Sequence, residues 1–376
     1  MNSQKFQQIK VVILGGGFAG IAATLSLYKE LQCRKDVSIQ LIDERNVHIY
    51  TPDLYEISTT FNEKITAECL TQLKDTVAIP FSKIIRDRQI DFLRDRVIRI
   101  NPKNKTVELK NAGSIPFDYL IITLGSVVNY YDIPGLRERS YPLKTLTDAL
   151  AINCHLDVFF QSQWRKKEQK PVSILVGGGG ATGTEFACEL SGDINQLCKK
   201  YHYPRNLVGI TIIEAEKRLA GQDEKTTGIV LKRLMQRGIQ THLETFIREV
   251  TEKNVITETT RGKKGSMPMD ILIWTGGVQP SPIIKESFIQ VTKNGALPVN
   301  NFLQYRDYPS IFAAGDNATF IDSVSQKAAP MLAQVAAAQG KVLGEMWRQR
   351  FKKKQKKNTS SNSKALLFHS GASTRF

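Results

Sequence analysis

Twice in this chain an apolar run breaks into glycines, resumes as a helix, and is followed by a second strand that ends in an acidic residue. That repetition predicts an α/β fold of two Rossmann-like, three-layer (ββα) dinucleotide-binding domains. A late strand closing in Gly-Asp follows a Pro-rich return linker at Gln279-Pro-Ser-Pro282.

The first copy is Val11-Val-Ile-Leu-Gly-Gly-Gly-Phe-Ala-Gly20, continuing as a helix to Tyr28. Gly15, Gly17 and Gly20 have the G-x-G-x-x-G spacing. The first glycine permits the turn, the second lets backbone approach a pyrophosphate, and the third lets the helix pack close to the strand. The anion then sits on the helix N-terminus, where unpaired N–H groups and the dipole favour it. A second strand, Val37 to Ile42, leads to Asp43, 23 residues beyond Gly20 and placed to accept hydrogen bonds from a ribose. Val11 to Tyr28 lacks any charge, and its eighteen residues meet the length of a membrane span. Its four glycines and its change of period at the turn instead mark one buried strand and one helix. Lys5 and Lys10 flank no compact apolar core with a cleavage pattern, so no signal peptide is expected. The protein is therefore expected in the cytosol, meeting a membrane only from the side.

The loop from Asp43 to Glu56 is richer in polar and aromatic residues than a connector needs. Ile79-Pro80 begins a short helix that ends in the basic cluster Arg86-Asp-Arg88, and Arg96 to Leu109 alternates around an Asn-Lys turn as a hairpin does. Phe117 to Ser126 is a buried strand closed by Gly125, and Asp132-Ile-Pro-Gly135 marks a turn and a domain boundary.

The second copy starts at Val172, with Gly178, Gly180 and Gly183 at the same spacing. Its second strand, Leu207 to Ile213, ends at Glu214, 31 residues beyond Gly183 because a long helix and the Lys199-Lys-Tyr-His-Tyr-Pro204 connection intervene. A second unit of this kind means a second dinucleotide. An acid here holds the ribose hydroxyls of NADH and repels a 2′-phosphate, although Lys217 and Arg218 lie close by. After a helix from Thr226 to Gln236 and strands to Ile256, Met269 to Gly277 repeats the strand-then-glycine of residues 117–126, with Gly276 among its closing glycines. Leu297 to Asn300 and Ser310 to Asp316 follow, placing Gly315-Asp316 at a strand's carboxyl end, where open α/β sheets bind ligands. A helix cap is the alternative role for Asp316.

At 376 residues, 41% apolar and 23% charged, the chain has room for two cores. A net charge of +16 admits nucleic acid, an anionic membrane or an acidic partner. Lys341 to Lys357 holds eight Lys or Arg against one Glu, and no nucleic-acid module stands elsewhere, which leaves membrane binding or plain solubility. The closest cysteines, Cys188 and Cys198, are ten apart, so there is no C-x-x-C and no disulfide framework. The five histidines have no metal-ligand spacing, and no metal is expected.

The G-G-G-F-A-G run, Asp43, Thr123-Leu-Gly125, Ile133-Pro-Gly135, the second glycine turn and Ala314-Gly-Asp316 together resemble the FAD-dependent pyridine nucleotide oxidoreductases. Within them the chain is most similar to the type II NADH dehydrogenases, NADH:quinone oxidoreductases that pump no protons. The resemblance runs from about Lys10 to Gly344. Its finer marks are Asn46-Val-His48, Pro52 with Leu54-Tyr-Glu56, Gly180-Ala-Thr-Gly183 followed by Glu185, Ile273-Trp-Thr-Gly276, and Ala333-Gln-Val-Ala336.

The resemblance implies a discontinuous FAD domain of residues 1–134 and 298–344, an inserted NADH domain of residues 135–297 and a basic tail at 345–376, with FAD on Gly15, Gly17, Gly20 and Asp43, its adenine near the Val97 backbone and its ribityl-phosphate side at Gly125, Gly315 and Asp316. It implies NADH on Gly178, Gly180, Gly183, Glu214 and Gly276, its nicotinamide C4 within roughly 3 to 3.5 Å of the flavin N5. Glu185 would point toward both rings, complementing the helix dipole being the plainer alternative. Ala333, Gln334 and Gln339 would line the quinone site, Gln334 bonding a quinone carbonyl. Many relatives carry two successive glutamines where this chain has Ala338-Gln339, and close helix packing is the other reading of that stretch. Relatives continue past this helix, and Leu366 to Phe376 resembles the start of a family segment that stops early. Val342, Leu343, Met346, Trp347 and Phe351 form an apolar helical face ahead of Lys352 to Lys357. Together they are expected to seat the protein on the anionic cytoplasmic face of a membrane, a solvated low-complexity tail being the alternative. A homodimer is admitted.

Two rival functions remain. One is an NADH-dependent reductase of a ferredoxin-type protein, suited to a basic surface. The other is a non-catalytic FAD/NADH redox sensor. A disulfide reductase is disfavoured by the missing dithiol, and a sulfide:quinone reductase by the lack of any cysteine after Cys198.

Overall fold

Val11, Val12, Ile13 and Leu14 are all buried, and they point alternately into two different cores. A strand apolar on both faces belongs in the middle of a parallel sheet covered on both sides. The computed structural model describes residues 8–356 apart from 65, 168, 222, 289 and 323–325, and for 348–356 the backbone alone. In it the strand Ile9–Leu14 lies between Val37–Asp43 and Tyr119–Ile122, with Asp91–Arg94 and Ile311–Ala313 at the edges, all parallel. On one face Val12, Leu14, Leu120 and Ile122 pack with Val97, Ile100 and Val107 of an antiparallel meander, Val97–Asn101, Thr106–Leu109 and Gly113–Pro116. On the other, Val11, Ile13 and Ile121 join Ala23 and Leu27 of the opening helix, Phe18–Leu31, and Leu343 of the closing helix, Ala333–Lys356. These are the three layers expected.

The inserted unit repeats them. Its parallel sheet runs in the order Tyr141–Pro142, Ile271–Trp274, Val172–Gly177, Val208–Ile213 and Ile239–His242. Ile174, Val176 and Ile212 face Phe160 and Phe186 of the helices Leu146–Lys166 and Ala181–Lys200. Leu175, Ile213 and Leu272 face Ile247 and Val255 of a second meander, Thr245–Val250, Asn254–Thr259 and Lys264–Pro268. An antiparallel pair, Ser126–Val128 with Val278–Pro280, links the two units.

Three expectations need correcting. The chain rejoins the outer unit at Val278–Pro280 and not at 298: Ile284 and Phe288 share a core with Val97 and Ile100, and Ser287 Oγ accepts from the Ile100 N–H at 3.0 Å. The outer unit also sends a wedge into the inserted one. Ile49, Leu54, Ile57 and Val77 lie in the core that holds Ile152, Leu156 and Phe186, and Asn153 Nδ2 donates to the carbonyls of Ile57 (3.2 Å) and Thr60 (2.8 Å). The seam between the units therefore does not coincide with one boundary at 134/135.

The third correction concerns the closing helix. Leu343 and Trp347 are 0% and 1% exposed, and Val342 and Met346 pack against the same core, so this apolar face is turned inward and is not free to meet a membrane. Its contact with the opening helix is close because Gly340 and Gly344 have no side chains. A Cβ on Gly340 would stand 2.8 Å from the Ala22 methyl, and one on Gly344 would overlap Ser26. The Phe351 side chain and residues 357–376 lie outside the described part. Among the described residues no helix is long and apolar enough to cross a membrane.

One buried carboxyl makes stability depend on pH. Asp193 of the helix Ala181–Lys200 is 6% exposed and lies near Asp157, which accepts from Lys200 Nζ at 2.6 Å and from the Tyr201 hydroxyl at 2.9 Å. Burial pushes Asp193 up to about 7, the Asp157 charge adding to the rise and Lys200 opposing it. The folded protein thus keeps a proton that an unfolded aspartate releases near 3.8, so this contribution to stability fades as pH rises from about 4 to about 7. Asp193→Asn is expected to reduce the loss of stability between pH 5 and pH 7.5, read from urea midpoints. An equal loss in both proteins would rule out Asp193 as its source.

Candidate functional site

Both glycine turns stand at the carboxyl ends of central strands. Gly15 has φ +95° and Gly178 φ +105°, in the region that favours glycine. A Cβ on Gly15 would overlap the Thr123 carbonyl, and one on Gly20 would overlap the Gly15 carbonyl. The second turn repeats this: a Cβ on Gly178 would stand 2.5 Å from Gly276 Cα, and one on Gly183 would overlap the Gly178 carbonyl. At Gly17 and Gly180, by contrast, nothing lies within 4 Å of the Cβ position. The middle glycine of each motif therefore faces open space. Both helices start without a side-chain cap or an acid in the first turn, which leaves their N–H groups for an anion. The residues present fit a pyrophosphate at each turn.

Two threonines that the motif spacing did not single out lock these turns. Thr123 Oγ1 donates to the carbonyls of Leu14 (2.7 Å) and Gly15 (2.9 Å), and Thr275 Oγ1 to those of Gly177 (3.1 Å) and Gly178 (2.9 Å). Their available signal was a threonine two residues before a glycine at the end of each late strand, Thr123 before Gly125 and Thr275 before Gly277.

The two acids reach back to the turns. Asp43 accepts from the Gly16 N–H at 2.6 Å on one oxygen and from the Arg45 N–H at 2.8 Å on the other. Glu214 accepts from the Gly179 N–H, and from the Glu216 N–H at 2.7 Å. Each carboxylate offers about four acceptor positions, so a ribose hydroxyl still finds room. Lys217 is paired with Glu224 at 2.7 Å. Val97 is buried at the start of the outer meander, paired with Leu109. His48 Nδ1 lies 2.9 Å from the Gly16 carbonyl oxygen and packs edge-on against Phe18, which makes it part of the turn's support.

Gly125, Gly315 and Asp316 meet beside the first turn. Asn317 clamps Gly125, its Oδ1 accepting from the Gly125 N–H at 3.0 Å and its Nδ2 donating to the Gly125 carbonyl at 2.8 Å. Ser126 Oγ donates to Asp316, which caps no helix. Lys144 Nζ donates to Ser126 Oγ at 2.8 Å. Gly315 fits between the methyls of Ala19 and Ala336, and its N–H donates to Gln339 Oε1 at 2.7 Å. Gln339 thus has its acceptor oxygen engaged with Gly315. Gln334 is exposed on the first turn of the closing helix, and Ala333 is half-buried beside it.

Glu185 stands at the seam, on the second turn of its helix, where the short helix Leu54–Thr59 packs against it. Partial burial raises its carboxyl, and the charge of Asp53 adds to the rise. The Tyr55 phenol is pushed up to about 12 by burial and by Glu185, Glu56 and Asp53. Motif spacing left Asp53 and Tyr55 unassigned. Among the described residues no group of His, Cys, Asp or Glu could hold a metal ion. All five cysteines are free, and burial pushes the Cys198 thiol up to about 11.

Residues 9–340 match the pyridine nucleotide-disulphide oxidoreductase family. A type II NADH:quinone oxidoreductase from Staphylococcus aureus is 30% identical over 335 residues, covering 88% of this chain and 80% of that protein. In backbone the chain is similar to NDH2 from Plasmodium falciparum solved in complex with NADH, with a TM-score of 0.79 at 18% identity over 90% of this chain and 83% of the other. It is also similar to the sulfide:quinone oxidoreductase of Aquifex aeolicus, with a TM-score of 0.74 at 20% identity over 92% of this chain and 77% of the other. With two matching dinucleotide turns and no dithiol, the chain belongs to the pyridine nucleotide-disulphide oxidoreductases, and within them to the type II NADH:quinone oxidoreductases.

Proposed function

We propose that the protein is an FAD-dependent NADH:quinone oxidoreductase, and the duplicated open turn at Gly17 and Gly180 carries that reading. FAD belongs to Gly15, Gly17, Gly20, Asp43, Val97, Gly125, Gly315 and Asp316. NADH belongs to Gly178, Gly180, Gly183, Glu214 and Gly276. When bound, FAD supplies the redox chemistry, accepting hydride from NADH and passing electrons to a quinone.

The protein's own residues bind, orient and hold protons. Asp43 and Glu214 take the two riboses while holding the turns that present the pyrophosphate N–H groups. The pairing of Lys217 with Glu224 supports NADH over NADPH, because that cation is already matched. Glu185 keeps a proton to higher pH than a free glutamate, at the seam where nicotinamide enters. Gln334, exposed ahead of Ala336, is the amide for a quinone carbonyl. Contact with an anionic membrane on the cytoplasmic side rests on the basic run Lys352 to Lys357, since the apolar face ahead of it is buried.

FAD-loaded protein is expected to oxidise NADH with a soluble quinone, and Gln334→Leu to slow that reaction about tenfold while ferricyanide reduction is unchanged, as for loss of one hydrogen bond. Reduction of ferricyanide or of an acidic ferredoxin without any quinone turnover would overturn the proposal. Sedimentation with anionic liposomes at low and high salt reads the membrane contact, which is expected only at low salt. Asp43→Ala is expected to purify without the flavin absorbance of the wild type, and equal flavin content would remove Asp43 from the cofactor site.

A further inference from the structure

The Lys144 side chain crosses the seam from the inserted unit toward the outer one. The Lys144 backbone lies between the strand Tyr141–Pro142 and the helix Leu146–Lys166, and a capping box fixes it there. Asp148 Oδ2 accepts from the N–H groups of Lys144 (3.2 Å) and Thr145 (2.7 Å), while Thr145 Oγ1 accepts from the Asp148 N–H at 3.1 Å. The side chain then leaves its own unit. Its Nζ donates to Ser126 Oγ on the linking strand at 2.8 Å and stands 3.9 Å from Asp316 Oδ2, the oxygen to which Ser126 Oγ itself donates. Inserted unit, link and outer unit thus meet in one polar contact, with the Lys144 and Asp316 side chains 28% and 18% exposed.

Each cation there has a carboxylate: Lys144 faces Asp316, and Arg45 is paired with Asp43 at 3.4 Å. Burial lowers the Lys144 ammonium, Asp316 opposes that, and Arg45 lowers it further. The helix that starts at Phe18 has no side-chain cap, and its N–H groups favour an anion.

We propose that Lys144 is a positioning residue through which the inserted domain holds the FAD site: it fixes Ser126 and, through it, Asp316. FAD binding and the docking of the two domains then strengthen each other. The proposal rests on the assignment of Asp316 to FAD.

The test uses the full-length apoprotein and reads the FAD dissociation constant from quenching of flavin fluorescence. Lys144→Met is expected to weaken FAD about tenfold, the scale of a charge-assisted hydrogen bond. Lys144→Arg is expected to restore most of that loss, which a purely space-filling role would not do. Ser126→Ala should weaken FAD in the same direction, and it serves as the second variant should Lys144→Met fail to fold. In Lys144→Met/Asp316→Asn the two effects should not multiply, because the residues act as one unit. Unchanged affinity in Lys144→Met beside a weakened Asp316→Asn would overturn the role of Lys144 alone. Unchanged affinity in Asp316→Asn would remove Asp316 from FAD, and the proposal with it.

Discussion

The carbonyl oxygen of Gly15 occupies the space where a side chain on residue 20 would begin, and the Gly178 oxygen does the same to residue 183. Each close approach brings a helix start against the end of a central strand. Only then do Gly17 and Gly180 face outward with their N–H groups unspent, and only then can Thr123 and Thr275 brace the turn from the neighbouring strand. The rest of both sites is built outward from those turns. Asp43 and Glu214 bind them from one side, and the late strands that end at Gly125 and Gly276 close them from the other.

The layers were legible because a buried parallel strand has little freedom in composition. Val11 to Leu14 is apolar throughout, the glycines are spaced by steric need, and an acid follows each second strand. The wedge from Ile49 to Val77 was not legible. Its apolar residues announce that something must cover them, but nothing local says that the cover is Ile152 and Phe186, a hundred residues on. Leu343 and Trp347 raise the same difficulty, since a helical apolar stripe reads alike whether it meets a bilayer or a neighbouring helix. Gly340 and Gly344 were the cue that a helix comes close. The site shows the same limit: nothing local in the sequence says that the Gly315 N–H donates to Gln339 Oε1.

The seam joins two kinds of contact. Apolar wedge residues hold the units together without direction, while Asn153, Lys144 and the strand pair Ser126–Val128 with Val278–Pro280 set their orientation. Glu185 lies among the former, in surroundings that disfavour its charge. Lys144 and Asp316 lie among the latter. A redox enzyme that binds two dinucleotides on separate sheets needs both, because the reacting rings belong to different units and are aligned only as well as the units are.

The order of strands in the outer sheet also bears on how the chain is made. Ile311–Ala313 pairs with Tyr119–Ile122, and the closing helix packs on a helix that begins at Phe18. Everything between is the inserted unit and its return. The sheet that carries the first glycine turn takes its edge strand, Ile311–Ala313, and its second covering helix, Ala333–Lys356, from far downstream of that turn. The inserted unit finds all five strands of its own sheet between Tyr141 and Trp274 and can close first. The first cofactor site is thus completed only by segments from both sides of the inserted unit.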